Sequence, residues 1–146
     1  MASTVAEHKN AIVAAYEGYM AELKQAGANW ETAPAHGEGE AAWNARQVAE
    51  HVAGAATFFG GGLASFLGVP GPERAQPSFA TGAEAATGMP LAQAKLLAVI
   101  DQIPDARLTQ EFEVPRLGKQ TVGGVLGILA YHLNDHAGQL KTLRGA

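Results

Sequence analysis

Apolar side chains recur at helical spacing in four stretches of the chain, and this spacing predicts four helices. The first helix is expected over residues 3–26, where Ser3 or Thr4 can act as the N-cap and Glu7 completes a capping box with Thr4. The apolar stripe of this helix comprises Ile12, Ala15, Tyr16, Tyr19, Met20 and Leu23. The polar stretch NWETAPAHGEGEA that follows contains proline and glycines and predicts a loop.

The second helix is expected to begin after Asn44, a good N-cap residue. Gln47 stands three residues later, where the partner of a capping box belongs. Apolar residues continue at helical spacing to about Leu67, so we expect the helix to extend that far. The glycine run at 60–62 weakens it and is the point where it can kink.

Residues 68–88 are rich in proline and glycine and predict a long connection. The third helix is expected to begin with MPLAQAKLLAVIDQI, with Pro90 in its first turn and Pro104 after its end. Residues 105–120 are predicted to be extended or irregular, without convincing strand pairs. Thr121 can cap a last helix that runs almost to the C-terminus.

Four helices without paired strands predict an all-α fold, a four-helix bundle that forms a single domain over residues 1–146. About twenty extended residues span roughly 60 Å, whereas a helix of that length measures about 30 Å. The 68–88 connection can therefore return along the bundle. We expect a long crossover that makes helix two parallel to helix three and antiparallel to helix four.

The composition of the chain excludes several kinds of binding partner and reactive group. The formal net charge is -4, with 10 basic and 14 acidic residues. This balance does not indicate the excess of basic residues that is typical of nucleic-acid-binding proteins. The chain has no cysteine, which excludes disulfides, thiolate ligands and a cysteine nucleophile. The N-terminal segment has scattered charges and no signal-peptide pattern, and no apolar run is long enough to span a bilayer. We therefore expect a soluble, cytoplasmic protein with no membrane or nucleic-acid partner.

The segment AYHLNDHAGQL places His132 and His136 four residues apart on one helix face. This spacing alone is a weak signal that also fits an ordinary packed helix. His51 strengthens it, because it lies on an apolar stripe about seven residues, or roughly 10 Å, into helix two. His136 lies a similar distance from the end of helix four, so antiparallel helices bring all three imidazoles to one level. His8 and His36 are interpreted as exposed side chains.

The three histidines predict an open divalent metal site, because three protein ligands leave at least one coordination position free. Neutral imidazoles suit zinc, nickel and iron, as well as copper. No glutamate is expected close to the ion, and no general base is evident. Candidates for supporting or pocket-lining roles are Gln47, Gln139, Trp43, Arg46 and Arg144, with Glu50 and Asp135 interpreted as exposed helical residues.

Other metal and phosphate motifs are absent from the sequence. A carboxylate-bridged di-iron bundle needs Glu-x-x-His pairs, whereas Val48, Leu129 and Leu133 stand three residues before the three histidines. Leu133 also occupies the position where the HExxH zinc-protease helix has its glutamate. The glycine runs lack the lysine and the preceding strand of a phosphate-binding loop.

Two segments, WNARQVAEHVAGA and LGKQTVGGVLGILAYHLNDHAGQL, resemble the DinB-like (DinB/YfiT) superfamily of bacterial four-helix proteins. The resemblance implies a bundle with a crossover, a divalent metal held by His51, His132 and His136, and a homodimer. Characterised members of this superfamily include transferases and isomerases that use mycothiol, bacillithiol or glutathione. Others are assigned as metal-dependent hydrolases or stress-associated proteins. The first segment is also similar to the N-terminal part of mycothiol-dependent maleylpyruvate isomerases.

The leading functional hypothesis is a metal-dependent enzyme that activates a low-molecular-weight thiol for transfer to, or isomerisation of, a small electrophile. The absence of cysteine fits a nucleophile borrowed from outside the chain. One alternative is a hydrolase that uses metal-bound water, and another is a non-catalytic, metal-binding, stress-associated dimer. The apolar runs AIVAAY and LLAVI provide a second reason to expect a homodimer, since such runs often form interfaces.

Overall fold

The computed structural model describes residues 4–145. It contains four helices, which confirms the all-α bundle predicted from the spacing of apolar residues. Their bounds are α1 Val5–Leu23, α2 Ala45–Leu67, α3 Gly82–Ile100 and α4 Val122–Leu143. A short hairpin of β1 Glu111–Val114 and β2 Gly118–Thr121 precedes α4, and three-residue or four-residue 3-10 turns occupy Gly27–Asn29, Gly39–Ala42 and Asp105–Arg107.

Three helices begin at the caps that the sequence predicts. The Thr4 side chain accepts a hydrogen bond from the backbone N–H of Glu7 at the start of α1; the alternative cap, Ser3, lies outside the described residues. Asn44 and Gln47 form both bonds of a capping box at the start of α2. Thr121 accepts from the N–H of Gly124 at the start of α4. Each cap satisfies an N–H group that the helix itself leaves unpaired.

The predicted start of the third helix is wrong. Helix α3 begins at Gly82, seven residues before the expected Met89, and Pro90 lies in its interior rather than in its first turn. The cause is a capping box that was not anticipated: Thr81 accepts from the N–H of Glu84, and the Glu84 carboxylate accepts from the N–H of Thr81, both at 3.1 Å. This cap and the alanine-rich first turns offset the one helical hydrogen bond lost at Pro90.

The crossover between α2 and α3 therefore covers residues 68–81 and runs back along α2. Gly60 lies against the ring of Pro72, and the N–H of Ala75 donates to the Thr57 hydroxyl at 3.2 Å. As the crossover advances, its contacts on α2 move toward the start of that helix. Helix α3 consequently begins beside the start of α2, as a long crossover requires.

Contacts along the helices confirm that α2 and α3 are parallel. Val52 and Met89, early in the two helices, line the same small cavity. Further along, Gly60 faces the backbone of Leu96. The residue numbers rise together in the two helices, which is the order that parallel packing produces.

Helix α2 is antiparallel to α4, also as predicted. His51 near the start of α2 contacts His132 at the middle of α4, while Gly62 near the end of α2 shares a cavity wall with Val125 near the start of α4. His51 lies at the same level of the bundle as the two histidines of α4 because these two helices run in opposite directions.

Helix α1 is parallel to α4. Gly123, at the start of α4, lies near His8 in the first turns of α1. At the other end, Arg144 forms an ion pair of 2.9 Å with Glu22. The bundle therefore has two pairs of parallel helices, α1 with α4 and α2 with α3, and the pairs run in opposite directions.

The hairpin corrects the prediction that residues 105–120 contain no paired strands. Strands β1 and β2 pair antiparallel, from Glu111 opposite Thr121 to Val114 opposite Gly118. Arg116, in the connecting turn, adopts a φ of 70°, a conformation that is uncommon outside glycine. With only four residues each, the strands are too short to show a clear alternation of apolar and polar residues.

The two apolar runs that suggested a dimer are packed largely inside the chain. Ile12 and Ala15 in AIVAAY, and Leu96, Val99 and Ile100 in LLAVI, all belong to the buried core. The homodimer thus remains a prediction that rests on the family resemblance. Within residues 4–145, no helix combines the length and the apolar character that a membrane crossing requires.

Candidate metal centre

Three imidazoles meet where α2 and α4 pack together. The Nε2 atom of His51 lies 2.9 Å from Nε2 of His132, which in turn lies 3.1 Å from Nε2 of His136. The candidate ligand atoms of the three residues all lie within 4.8 Å of one another. His136 is buried, with 1% of its surface exposed, and the other two are half-buried.

The backbone of each helix fixes this convergence. His132 and His136 are one turn apart on α4, so their side chains project from the same face. That face is otherwise apolar and is anchored in the core by Leu129, Leu133 and Leu140. The histidine cluster is therefore rigidly placed at one level of the bundle rather than gathered from mobile loops.

The donor set fits a divalent metal ion. His136 donates from Nδ1 to a neighbouring amide oxygen, which leaves its Nε2 with a free lone pair. His132 Nε2 faces two other Nε2 atoms, and a single proton there can bond only one of them. A cation shared by three lone pairs satisfies all three at once. In a tetrahedral zinc site with bonds of 2.0–2.1 Å, neighbouring nitrogens lie about 3.3 Å apart, close to the distances of 2.9 and 3.1 Å from Nε2 of His132 to the other two Nε2 atoms.

The electrostatic environment keeps the imidazoles in the form that binds metals. Burial, together with the smaller effects of the neighbouring His136 and His51, lowers the pKa of His132 to about 3. Burial and then His136 lower the pKa of His51, against a smaller raising effect of Glu40. Both imidazoles are thus neutral at pH 7, and a metal ion meets no competition from protons there.

Gln139 supports the buried ligand, in the place that the sequence suggested. The Nδ1–H group of His136 donates to Gln139 Oε1 at 2.8 Å, and Gln139 Nε2 donates to the backbone carbonyl of Glu40 at 2.6 Å. Such a partner on the second ring nitrogen fixes the tautomer and the orientation of a metal-binding histidine. The same amide ties α4 to the 3-10 turn Gly39–Ala42.

Trp43 forms one wall of the cluster. Its ring centre lies 5.0 Å from that of His51 at 58°, and 6.4 Å from that of His136 in a nearly parallel arrangement of 11°. Trp43 is half-buried and packs against the core. It shields the imidazoles on the side where the loop enters α2.

Two other candidates from the sequence have structural partners instead. The Gln47 side chain accepts from the N–H of Asn44 in the capping box. Arg46 forms ion pairs with Glu31 at 2.6 Å and Glu50 at 2.9 Å, and it also donates to the hydroxyl of Ser78. Arg46 thus holds the loop and the crossover against α2, and it does not reach the histidines.

The remaining candidates are likewise occupied elsewhere or exposed. Arg144 pairs with Glu22 of α1 at 2.9 Å. Glu50, which pairs with Arg46, also accepts from the N–H of Phe79 at 2.7 Å. Asp135 is exposed on the outer side of α4. None of these contacts places a polar group against the three imidazoles.

The expectation that no glutamate lies close to the site is wrong. Glu40 places its Oε1 atom 3.6 Å from Nε2 of His136. This residue stands on the 3-10 turn before α2, in a loop that the sequence did not connect to the histidines. The available signal was the pair of glycines in HGEGEA. Gly37 and Gly39 adopt φ values of 136° and 58°, which turn the chain so that Glu40 faces α4.

An open cavity of about 940 Å³, lined by both polar and apolar residues, lies between the loop and α4. Glu40 and Gln139, which both contact His136, form its boundary with the histidine cluster. Its other polar lining residues are Thr32, His36, Asn134, Asp135 and Thr142. The volume is at the upper end of the range typical of small-molecule sites.

The fold and the site together define a class of protein: a four-helix bundle with a long crossover and a cluster of three histidines that could hold a metal. The family comparison agrees with this. The model of the DinB superfamily matches residues 11–140, and the chain belongs to that superfamily. Searches of curated proteins and of solved structures gave no match.

Proposed function

We propose that this protein is a divalent-metal-dependent enzyme that activates a low-molecular-weight thiol for transfer to, or isomerisation of, a small electrophile. The observation that carries the proposal is the convergence of three imidazoles close to an open cavity. The histidines offer a metal three ligands, and the cavity is lined by Glu40 and Gln139, the two side chains that contact His136.

The roles of the side chains follow from their contacts. His51, His132 and His136 hold the ion, for which zinc, nickel and iron are the expected metals. Gln139 fixes the ring of His136, and Trp43 limits the access of water from one side. A bound divalent ion lowers the pKa of a coordinated thiol, which favours the nucleophilic thiolate at neutral pH.

A thiol is favoured by the size of the cavity, by the polar side chains among its lining residues and by the composition of the chain. Low-molecular-weight thiols such as glutathione are polar and carry charged groups, which the side chains of Thr32, Asn134 and Asp135 can meet through hydrogen bonds. Since the chain has no cysteine, a sulfur nucleophile has to come from such a molecule.

The proposal is tested in two steps. Elemental analysis of protein purified without a chelator or a histidine tag should give about one divalent metal per chain. Cobalt-substituted protein titrated with mycothiol, bacillithiol or glutathione should then develop a sulfur-to-metal charge-transfer band. If no thiol changes the cobalt spectrum while a small ester or amide is hydrolysed, the protein is a hydrolase. If neither occurs and the metal is nevertheless retained, it is a non-catalytic metal-binding protein.

A further inference from the structure

The contacts of Glu40 point to a function for this residue, which the sequence had not linked to the histidines. We propose that the Glu40 carboxylate is a fourth donor to the metal ion, and that an incoming exogenous ligand replaces it. This inference rests on the metal centre proposed above.

The distance between Glu40 and His136 fits a shared ion better than a direct bond. At 3.6 Å, Oε1 of Glu40 is too far from His136 Nε2 for a good hydrogen bond. In a tetrahedral site, a carboxylate oxygen and an imidazole nitrogen that bind the same zinc lie about 3.4 Å apart. A carboxylate that reached the ion only through an intervening water would lie further from the ion and from its histidine ligands.

The backbone also directs Glu40 at this site. Its carbonyl oxygen accepts from the N–H of Trp43 at 3.1 Å and from Gln139 Nε2 at 2.6 Å. The first partner is the backbone of Trp43, whose ring covers His136, and the second is the Gln139 amide that orients His136. Glu40 is therefore connected to His136 both through its main chain and through its carboxylate.

Exposure explains why Glu40 would be the replaceable donor. Its side chain is 60% exposed, and it belongs to a 3-10 turn, whereas the histidines are half-buried or buried on long helices. The cavity that Glu40 borders would give an exogenous thiol an approach to the position of this carboxylate. The carboxylate then leaves with little disturbance of the bundle.

The experiment compares Glu40→Gln with Glu38→Gln, a matched change of an exposed carboxylate two residues earlier in the same segment. Zinc affinity is measured by competition with a chromophoric chelator, and cobalt coordination by visible absorption. The Glu40→Gln variant should bind zinc at least about tenfold more weakly, with shifted cobalt bands, while Glu38→Gln matches the wild type. Circular dichroism of the metal-free variants checks that both are folded. An unchanged affinity and spectrum in Glu40→Gln would overturn the fourth-donor assignment.

A separate measurement tests whether an exogenous ligand replaces the Glu40 carboxylate. In cobalt-saturated protein, a thiol should bind Glu40→Gln more tightly than wild type, since no carboxylate has to be displaced. Equal or weaker thiol binding by the variant would overturn this part of the inference. If neither protein binds a thiol, the proposed thiol chemistry fails, but the zinc and cobalt measurements still decide whether Glu40 is a donor.

Discussion

The Nε2 atoms of His51 and His132 lie 2.9 Å apart, although 81 positions separate the two residues in the chain. They belong to α2 and α4, which run in opposite directions, and each histidine lies toward the same end of the bundle. The short distance is therefore a consequence of topology. It depends on the crossover of residues 68–81, which makes α3 rather than α4 the parallel neighbour of α2.

Replacement of His51 by Ala should abolish stoichiometric metal retention, because it removes the only ligand that α2 contributes. We expect the affinity for zinc to fall by at least about 100-fold. The far-ultraviolet circular dichroism spectrum should stay helical, since His51 is only half-buried. The exposed His36 provides the control, and His36→Ala should retain the metal. A His51→Ala variant that binds zinc as tightly as the parent would show that the site is not built from three histidines.

Replacement of Gln139 by Leu should weaken zinc binding without removing a ligand. The change leaves the Nδ1–H group of His136 without its acceptor and breaks the link to the Glu40 carbonyl. Loss of such a supporting partner typically costs 10–100-fold in metal affinity. A suitable control is Gln25→Leu, since the Gln25 amide bonds only to the nearby carbonyl of Ala21. Equal zinc affinities of the two variants would argue against a supporting role of Gln139.

Two glycine substitutions should change stability in opposite directions. A methyl group on Gly88 would lie 2.5 Å from the ring of Phe79, which is buried where the crossover meets α3. Gly88→Ala should therefore lower the free energy of unfolding, by about 1–2 kcal/mol. Gly127 on α4 is exposed and has no atom within 4 Å of the corresponding position, so Gly127→Ala should add about 0.5–1 kcal/mol. Urea denaturation measures both, and a stable Gly88→Ala variant would contradict the packing of Phe79.

The expected homodimer is tested by light scattering at micromolar concentration. The chain mass is 15.1 kDa, so a dimer should give twice that value. Because the runs AIVAAY and LLAVI are packed largely within the chain, their apolar character does not by itself require a partner. A mass equal to that of one chain would contradict the prediction.

Sequence reasoning succeeded where the controlling interactions are local. The caps at Thr4, Asn44 and Thr121 were found because a capping residue bonds to an N–H group two or three residues away. The positions of His132 and His136 on one face follow from helical geometry alone. The start of α3 was predicted wrongly although its capping box at Thr81 is local, because proline is typical of a first helical turn whereas Pro90 lies in the interior of α3.

The sequence by itself determined the four helices, the relative directions of α2, α3 and α4, and the three histidines that could meet, because the periodicity of apolar residues and the length of the crossover constrain them. The tertiary structure decided which polar side chains surround those histidines. Gln47 and Arg46 stand near His51 in sequence, but Gln47 forms part of the capping box of α2. Arg46 forms two ion pairs instead. Glu40 stands far from His136 in sequence, yet the turn at Gly37 and Gly39 places it there. Contacts of this kind arise from loop conformation and packing between distant segments, and no periodic pattern encodes them.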